Sequence, residues 1–178
     1  MHPLRFRITA LLLLLLLLPV LPLTGCDKSI PPMTEYLASA LDAELLVDTG
    51  DITYRATVHL GAANRNAARD CEIVLLSPDA LCGITVTRKD GVESVTRGEI
   101  ETAYMGDGAA FLAADLLSPV HVVGREITEE NGRSCLCFRC ADGRTVTVDA
   151  ETGALCEIRR EDVKATVVWC ETRERGQK

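Results

Sequence analysis

The chain has 178 residues and a formal net charge of −7, and its 19 basic residues form no visible basic patch. A nucleic-acid role is therefore disfavoured, because binding phosphate requires a concentration of positive charge. The length suits one domain of ordinary size with a hydrophobic core of its own.

The N-terminus has the three parts of an export signal. Arg5 and Arg7 supply positive charge, and an unbroken leucine run, Leu11–Leu18, supplies the apolar core. Pro19 and Pro22 interrupt the apolar stretch before it reaches the roughly 20 residues that a spanning helix needs. We therefore interpret residues 1–25 as a signal peptide and not as part of the fold.

Leu23-Thr24-Gly25-Cys26 fits the lipobox of bacterial lipoproteins, in which two small residues precede an acylated cysteine. Cys26 is thus the candidate lipidation site, where a diacylglyceryl group and acyl chains such as palmitate would be attached. An ordinary signal peptide with a chance cysteine is the alternative. We expect residues 26–32 to form a lipidated tether and the rest of the chain to lie at the extracytoplasmic face of the cell membrane. The mature part then has 17 basic and 26 acidic residues.

Hydrophobic periodicity predicts an α+β domain. Met33, Leu37 and Leu41 fall at helical spacing, which predicts a helix from Met33 to Asp42 or further, and a second helix is expected at Asp107–Leu117. The remaining turn-bounded, β-branched segments predict about ten antiparallel strands. The strands are expected at Ile52–Leu60, Cys71–Leu76, Ile84–Arg88, Val92–Thr96, Ile100–Tyr104, Val120–Thr128, Arg133–Cys140, Arg144–Asp149, Leu155–Arg160 and Val163–Cys170.

The hairpin around Gly143 can be predicted in detail. Leu136 and Phe138 must share a face with Val146 and Val148 if both strands have an apolar side. A three-residue loop, Asp142-Gly143-Arg144 with Gly143 in the left-handed region, would satisfy this by pairing Phe138 with Val148.

No residues form a recognisable catalytic set, so no enzyme activity and no cofactor are expected. The mature chain has two histidines, His59 and His121, and no nucleophile motif accompanies either. Alternation places His59 on the polar side of its strand, where a solvated histidine belongs.

Seven thiols remain after Cys26, an odd number that cannot all pair within one chain. We favour buried free thiols over disulfides, and both interpretations remain open. Cys135, Cys137 and Cys140 have metal-like spacing, but alternation places Cys140 on the opposite face from the other two, so no metal site is predicted. The seven are Cys71, Cys82, Cys135, Cys137, Cys140, Cys156 and Cys170.

The order of elements resembles that of the LolA/LolB-like lipoprotein-carrier superfamily. The resemblance rests on an N-terminal helix, the strand Ile52–Leu60, the turn Ser77–Gly83, a mid-chain helix, and closing hairpins at residues 141–144 and 149–153. It implies a strongly curved antiparallel half-barrel over residues 33–172, with two helices on its concave side and a polar tail at residues 173–178. Members of the superfamily bind acyl chains or lipidated proteins in that cavity.

Together with the expected anchor at Cys26 and the absence of a catalytic set, the resemblance implies a fixed, non-enzymatic protein that binds a lipid or acyl chain between sheet and helices, and not a soluble shuttle. An envelope protein-interaction or sensing module with a filled core is the alternative, and redox or metal handling by the thiols is a second one. Partners would be the membrane through Cys26, an apolar ligand or an envelope protein. The expected cavity residues are Ile52, Tyr54, Ala56, Val58, Leu136, Phe138, Val148 and Trp169.

Overall fold

The structure of the protein is a computed structural model, which describes residues 33–64, 68–103, 109–130 and 132–173. The described residues belong to one compact unit. Cys26, the signal peptide, the tether, residues 174–178 of the expected tail, Tyr104 and Asp107 lie outside the described residues. None of the described helices is long and apolar enough to cross a membrane.

The described residues form two short helices and eleven strands, which confirms the predicted α+β class. Helix α1 spans Met33–Ala38, and helix α2 spans Leu112–Leu116 directly after a 3₁₀ turn at Ala109–Phe111. The ten predicted strands are present with bounds within two residues of those expected. The strands are β1 (Leu41–Asp48), β2 (Thr53–Leu60), β3 (Cys71–Ser77), β4 (Ile84–Lys89), β5 (Val92–Arg97), β6 (Ile100–Ala103), β7 (Val122–Glu130), β8 (Arg133–Cys140), β9 (Thr145–Asp149), β10 (Leu155–Arg160) and β11 (Val163–Thr172).

All strands form one antiparallel sheet that is open at both edges, in the order β6-β5-β4-β3-β2-β1-β11-β10-β9-β8-β7. Strands that are consecutive in sequence lie side by side, except β6 and β7, which form the two edges; β1 pairs with β11 at the centre. That pairing joins the meander of β1 to β6 with the meander of β7 to β11. The segment between β6 and β7 contains α2, which packs on β2, β3 and β10.

The predicted helix from Met33 to Asp42 is wrong beyond Ala38, because Leu41 begins β1 instead. The spacing of Leu41 and Leu45 fits both the 3.6-residue period of a helix and the two-residue period of a strand. The deciding pattern is the alternation in β1, where Leu41, Ala43, Leu45 and Val47 are all fully buried. As a central strand, β1 pairs with β2 and with β11, and these tertiary contacts outweigh local helix propensity.

The predicted pairing of Phe138 with Val148 is also wrong, since Phe138 pairs with Val146. The loop has three residues and Gly143 is left-handed, with φ of +83°. It begins one residue earlier than expected, at Ala141, because the Cys140 N–H donates to the Arg144 carbonyl over 2.9 Å. Both apolar pairs still share one face, and Arg144 moves from the turn to that face.

The described part of the sheet contains four β-bulges, each with one residue that has no partner on the neighbouring strand. These residues are Leu76, Val123, Cys156 and Val168. A bulge bends its strand and increases the local right-handed twist. Bulges in β3, β7, β10 and β11 thus distribute curvature across the sheet. Each one also shifts the alternation of the side chains that follow it.

Candidate functional site

The candidate site is the inner face of the sheet, defined as the face that carries the buried core. Ala56, Val58 and Val148 lie at its centre and each has 0% exposed surface. Phe138 is also buried there. All four belong to one hydrophobic core that includes Phe111 and most of α2. The centre of the inner face is therefore covered in this structure.

Two of the expected cavity residues lie elsewhere. Ile52 precedes β2 and is 42% exposed. Trp169 lies on the outer face, where its indole N–H donates to Glu44 Oε2 over 3.1 Å. The cause is the bulge at Val168, which places Val167 and Cys170 on the inner face and turns Trp169 outward. Simple alternation from Val163 could not reveal this shift.

Half-buried apolar side chains border the covered centre. Tyr54, which was expected here, is joined by Leu75 and Ile84 on the adjacent strands β3 and β4. Burial raises the pKa of Tyr54 to about 12, so it stays neutral. We call five of these side chains the apolar rim: Tyr54, Leu75, Ile84, Val163 and Val167. Leu136, the remaining expected residue, is half-buried on β8.

Arg144 fastens α2 to the sheet. Its guanidinium Nη1 donates to the carbonyls of Asp115, Leu116 and Ser118 over 2.9, 2.6 and 3.0 Å. Leu116 ends α2 and Ser118 lies beyond it, so their carbonyls have no donor within the helix; the Asp115 carbonyl also accepts from the Ser118 N–H over 3.1 Å. Its Nε donates to Asp142 Oδ2 over 2.6 Å, so the buried cation has a counter-ion.

Arg69 does the same for α1 and links it to α2. Its Nη1 donates to the carbonyls of Leu37 and Leu117 over 2.9 and 3.2 Å, and its other nitrogens donate to Gly61 and Ser39. Burial lowers the pKa of Arg69 to about 10, which leaves it charged at neutral pH. Each helix therefore has its C-terminal end held by one arginine.

We call α1 and the segment around α2, which pack over the inner face, the cover. Further contacts hold the cover in place. The Thr34 hydroxyl donates to the Val120 carbonyl over 2.9 Å, and the Tyr36 hydroxyl donates to the Cys170 sulfur over 3.3 Å. Arg88 on β4 lies 4.1 Å from the centre of the Phe111 ring, a cation–π contact. α1 and the segment around α2 are thus joined both to each other and to the sheet.

The sequence analysis missed both arginines. Arg69 was given no role just before the strand expected at Cys71, and Arg144 was placed in a turn. Their acceptors lie far away along the chain. The available signal was indirect: neither Ala38 nor Leu116 is followed by the glycine that commonly ends a helix. Terminal carbonyls without such a cap need another donor.

Ionisable groups lie together beside α2: burial raises the pKa of Asp115, and the nearby charges of Arg88 and Arg160 oppose that rise. His59 lies on the outer face beside Asp42, with 2.9 Å between Nδ1 and Oδ1. Among the described residues, no group of three histidine, cysteine or acidic side chains is placed to hold a metal ion.

The seven cysteines of the mature domain are free thiols in this structure. Cys71, Cys135 and Cys140 are buried, and burial raises the pKa of Cys71 and of Cys140. A raised pKa reduces the thiolate fraction, so these thiols resemble small apolar side chains more than reactive groups.

The arginine contacts predict that two substitutions, each of which removes one arginine, differ strongly in their effect on stability. Arg144→Met should lower the free energy of unfolding by about 3 kcal/mol, because it leaves buried carbonyls without donors. Arg159→Met removes an exposed partner of Glu157 and should cost less than about 1 kcal/mol. Chemical denaturation measures both, and equal losses would contradict the role given to Arg144.

The free thiols predict insensitivity to reductant. Thermal melts with and without reductant should coincide, and Cys135→Ala or Cys137→Ala should each cost about 1 kcal/mol. Loss of a structural disulfide typically costs about 2 to 5 kcal/mol. A large drop in melting temperature on reduction would show that disulfides form.

The chain is similar in structure to several solved proteins. MucB matches at 13% identity and a TM-score of 0.46, over 87% of this chain and 62% of MucB. An uncharacterized conserved protein from Thermus thermophilus matches at 11% identity and 0.45, over 84% and 89%. The LolA superfamily protein NE2245 from Nitrosomonas europaea matches at 9% and 0.41, over 83% and 93%.

The chain spans about three fifths of MucB, 62% of its length. No protein-family model and no curated protein sequence matches this chain.

Proposed function

We propose that this chain is a non-enzymatic lipoprotein, anchored through Cys26 at the extracytoplasmic face of the membrane, that binds an apolar ligand such as an acyl chain at the apolar rim. The observation that carries the proposal is the rim itself: Tyr54, Leu75 and Ile84 leave apolar surface partly open on three adjacent strands. All three lie on the side of the sheet that packs on the core and are only partly buried there.

The rim adjoins a deep apolar interior. Leu75 pairs with Ala56, and Ala56 pairs on its other side with Leu45; Ala56 and Leu45 are both fully buried. An acyl chain lying along the rim would bury each methylene from water at about 0.8 kcal/mol. Several methylenes would therefore suffice for measurable binding without a polar anchor.

The structure also limits the site. Because Ala56, Val58 and Val148 have no exposed surface, a ligand at the centre of the inner face would have to displace α2. The contacts of Arg144 and Arg69 oppose that displacement. The proposed binding site is therefore the apolar rim at the border of the inner face. It replaces the central cavity that the resemblance led us to expect.

A second candidate is an envelope protein-interaction or sensing module with a filled core. The specific observation in its favour is the same complete burial at the centre of the inner face, together with helices held at their C-terminal ends. In that case the rim is a feature of the core and binds nothing. Thiol-based redox or metal handling gains no comparable support from the geometry.

The rim predicts a difference between two neighbouring leucines. Leu75→Gln places a polar group on the rim and should weaken uptake of a fluorescent fatty acid by about tenfold, the equivalent of about 1.4 kcal/mol. Leu76→Gln is the matched control, because Leu76 is the exposed bulge residue beside it and lies outside the core.

Fluorescence titration of the full chain and of both variants tests this. Absence of uptake by the unaltered chain would reject the ligand proposal in favour of the filled module. Equal weakening by both substitutions would show that binding does not use the rim.

The anchor predicts release on loss of the thiol. Cys26→Ala should leave the domain folded and move the exported protein from the membrane to the soluble fraction, since two or three acyl chains hold a lipoprotein almost permanently. Fractionation in high salt and carbonate measures this. A variant that stays with the membrane would refute the lipobox interpretation.

A further inference from the structure

Along the edge strand β7, one uninterrupted stretch has no partner strand in the part of the chain that the structure describes. β7 pairs only with β8, on one side. The bulge at Val123 interrupts its regular geometry near the start, so the regular part of the edge is Gly124–Glu130. Ile127 is the central residue of that stretch. An exposed regular edge presents a row of backbone donors and acceptors that can pair with another strand.

The side chains along this edge have a simple pattern. Arg125, Ile127 and Glu129 share the inner face, because they pair with Phe138, Leu136 and Ser134 on β8. Ile127 is 75% exposed. Arg125 and Glu129 form no ion pair with any residue in the described part of the chain. The edge thus shows one apolar side chain between two opposite, uncommitted charges.

Two antiparallel copies of β7 would be related by a two-fold axis normal to the sheet, so residues of the same face lie opposite each other. If the axis passes through Ile127, the two Ile127 side chains meet. Arg125 then lies opposite Glu129 of the second copy, and this pair occurs twice. Cross-strand pairs of opposite charge stabilise a sheet, and like charges directly opposite destabilise it.

Other centres of pairing are unfavourable. An axis through Arg125, Glu126 or Glu129 would place each of these charges opposite its own copy. An axis through Thr128 would place Glu126 opposite Glu130. The register centred on Ile127 avoids like charges directly opposite and uses the whole regular edge.

We infer that β7 is a homodimerisation edge, at which two copies of this chain join antiparallel with Ile127 at the two-fold axis. The partner at this edge is a second copy of the chain, because Arg125 and Glu129 of one copy match Glu129 and Arg125 of the other. Away from this edge the net charge of the chain, −7, opposes association of two copies. The opposite edge, β6, has four described residues, Ile100–Ala103, and offers a shorter described surface. Anchoring to one membrane would raise the effective concentration of such pairs.

Sedimentation equilibrium of the full chain in nonionic detergent tests the dimer. Ile127→Lys should weaken dimerisation by about tenfold or more, because it places like charges together at the axis. Ile100→Lys is the matched control, since Ile100 is a 73% exposed isoleucine on the other edge.

Charge exchange tests the register. Arg125→Glu alone should weaken the dimer by about tenfold, and adding Glu129→Arg in the same chain should restore the affinity to within about threefold. The two residues are four apart on one strand, so only pairing between copies predicts this rescue.

Three results would overturn the inference: a chain that stays monomeric at all concentrations, equal effects of Ile100→Lys and Ile127→Lys, or a double exchange that remains as weak as Arg125→Glu. Circular dichroism of each variant confirms that the sheet is intact before association is compared.

Discussion

The cover of the inner face depends on two arginines that take the place of helix caps. Helices of six and five residues have few internal hydrogen bonds, and isolated helices of that length are unstable in water. Their last carbonyls lie against an apolar core, where an unsatisfied acceptor is costly. Arg69 and Arg144 supply the missing donors, and each reaches its helix from a segment distant in sequence.

This constraint shapes the functional interpretation. Because the helices are held at their C-terminal ends, the centre of the inner face is a packed core. The rim formed by Tyr54, Leu75 and Ile84 with Val163 and Val167 borders that core and is only partly buried. Binding at the rim would use a preformed border and would not require opening of the domain. The alternative, an interaction or sensing module with a filled core, would have the same packing. It differs only in that its rim binds no apolar ligand.

The central pairing of β1 with β11 explains why the cover can be so small. This pairing joins two meanders into one curved sheet, so residues from both ends of the described domain pack in a single core. Four bulges curve the sheet around that core. Two helices of one to two turns then suffice to cover its centre.

Much of the fold could be predicted from sequence because the signals that mark its strands, alternation and turn residues, lie within short segments of the chain. Alternation and turn residues identified ten strands, the α+β class and the left-handed Gly143, and the resemblance in element order implied the half-barrel. β1 was missed because Leu41 and Leu45 satisfy helical and strand spacing alike, and only its two partner strands decide between them.

The candidate site was harder to predict. Ala56, Val58, Phe138 and Val148 were placed on the inner face correctly, since their strands alternate regularly up to those positions. Trp169 was misplaced because a bulge leaves no clear mark in the sequence. The arginines were missed because a contact between a side chain and a distant helix end has no local pattern.

Hydrogen exchange of the α2 segment tests the central claim most directly. If Arg144 and Arg69 hold the helices on the sheet, the amides of Leu117 and Ser118 should exchange as slowly as those of β1, only when the whole domain unfolds. Mass spectrometry of the exchanging chain, with peptides that cover residues 112–118 and 41–48, measures both rates. Exchange of the α2 peptide as fast as that of the edge strand β6, while β1 stays protected, would show that the cover opens freely and would contradict the account.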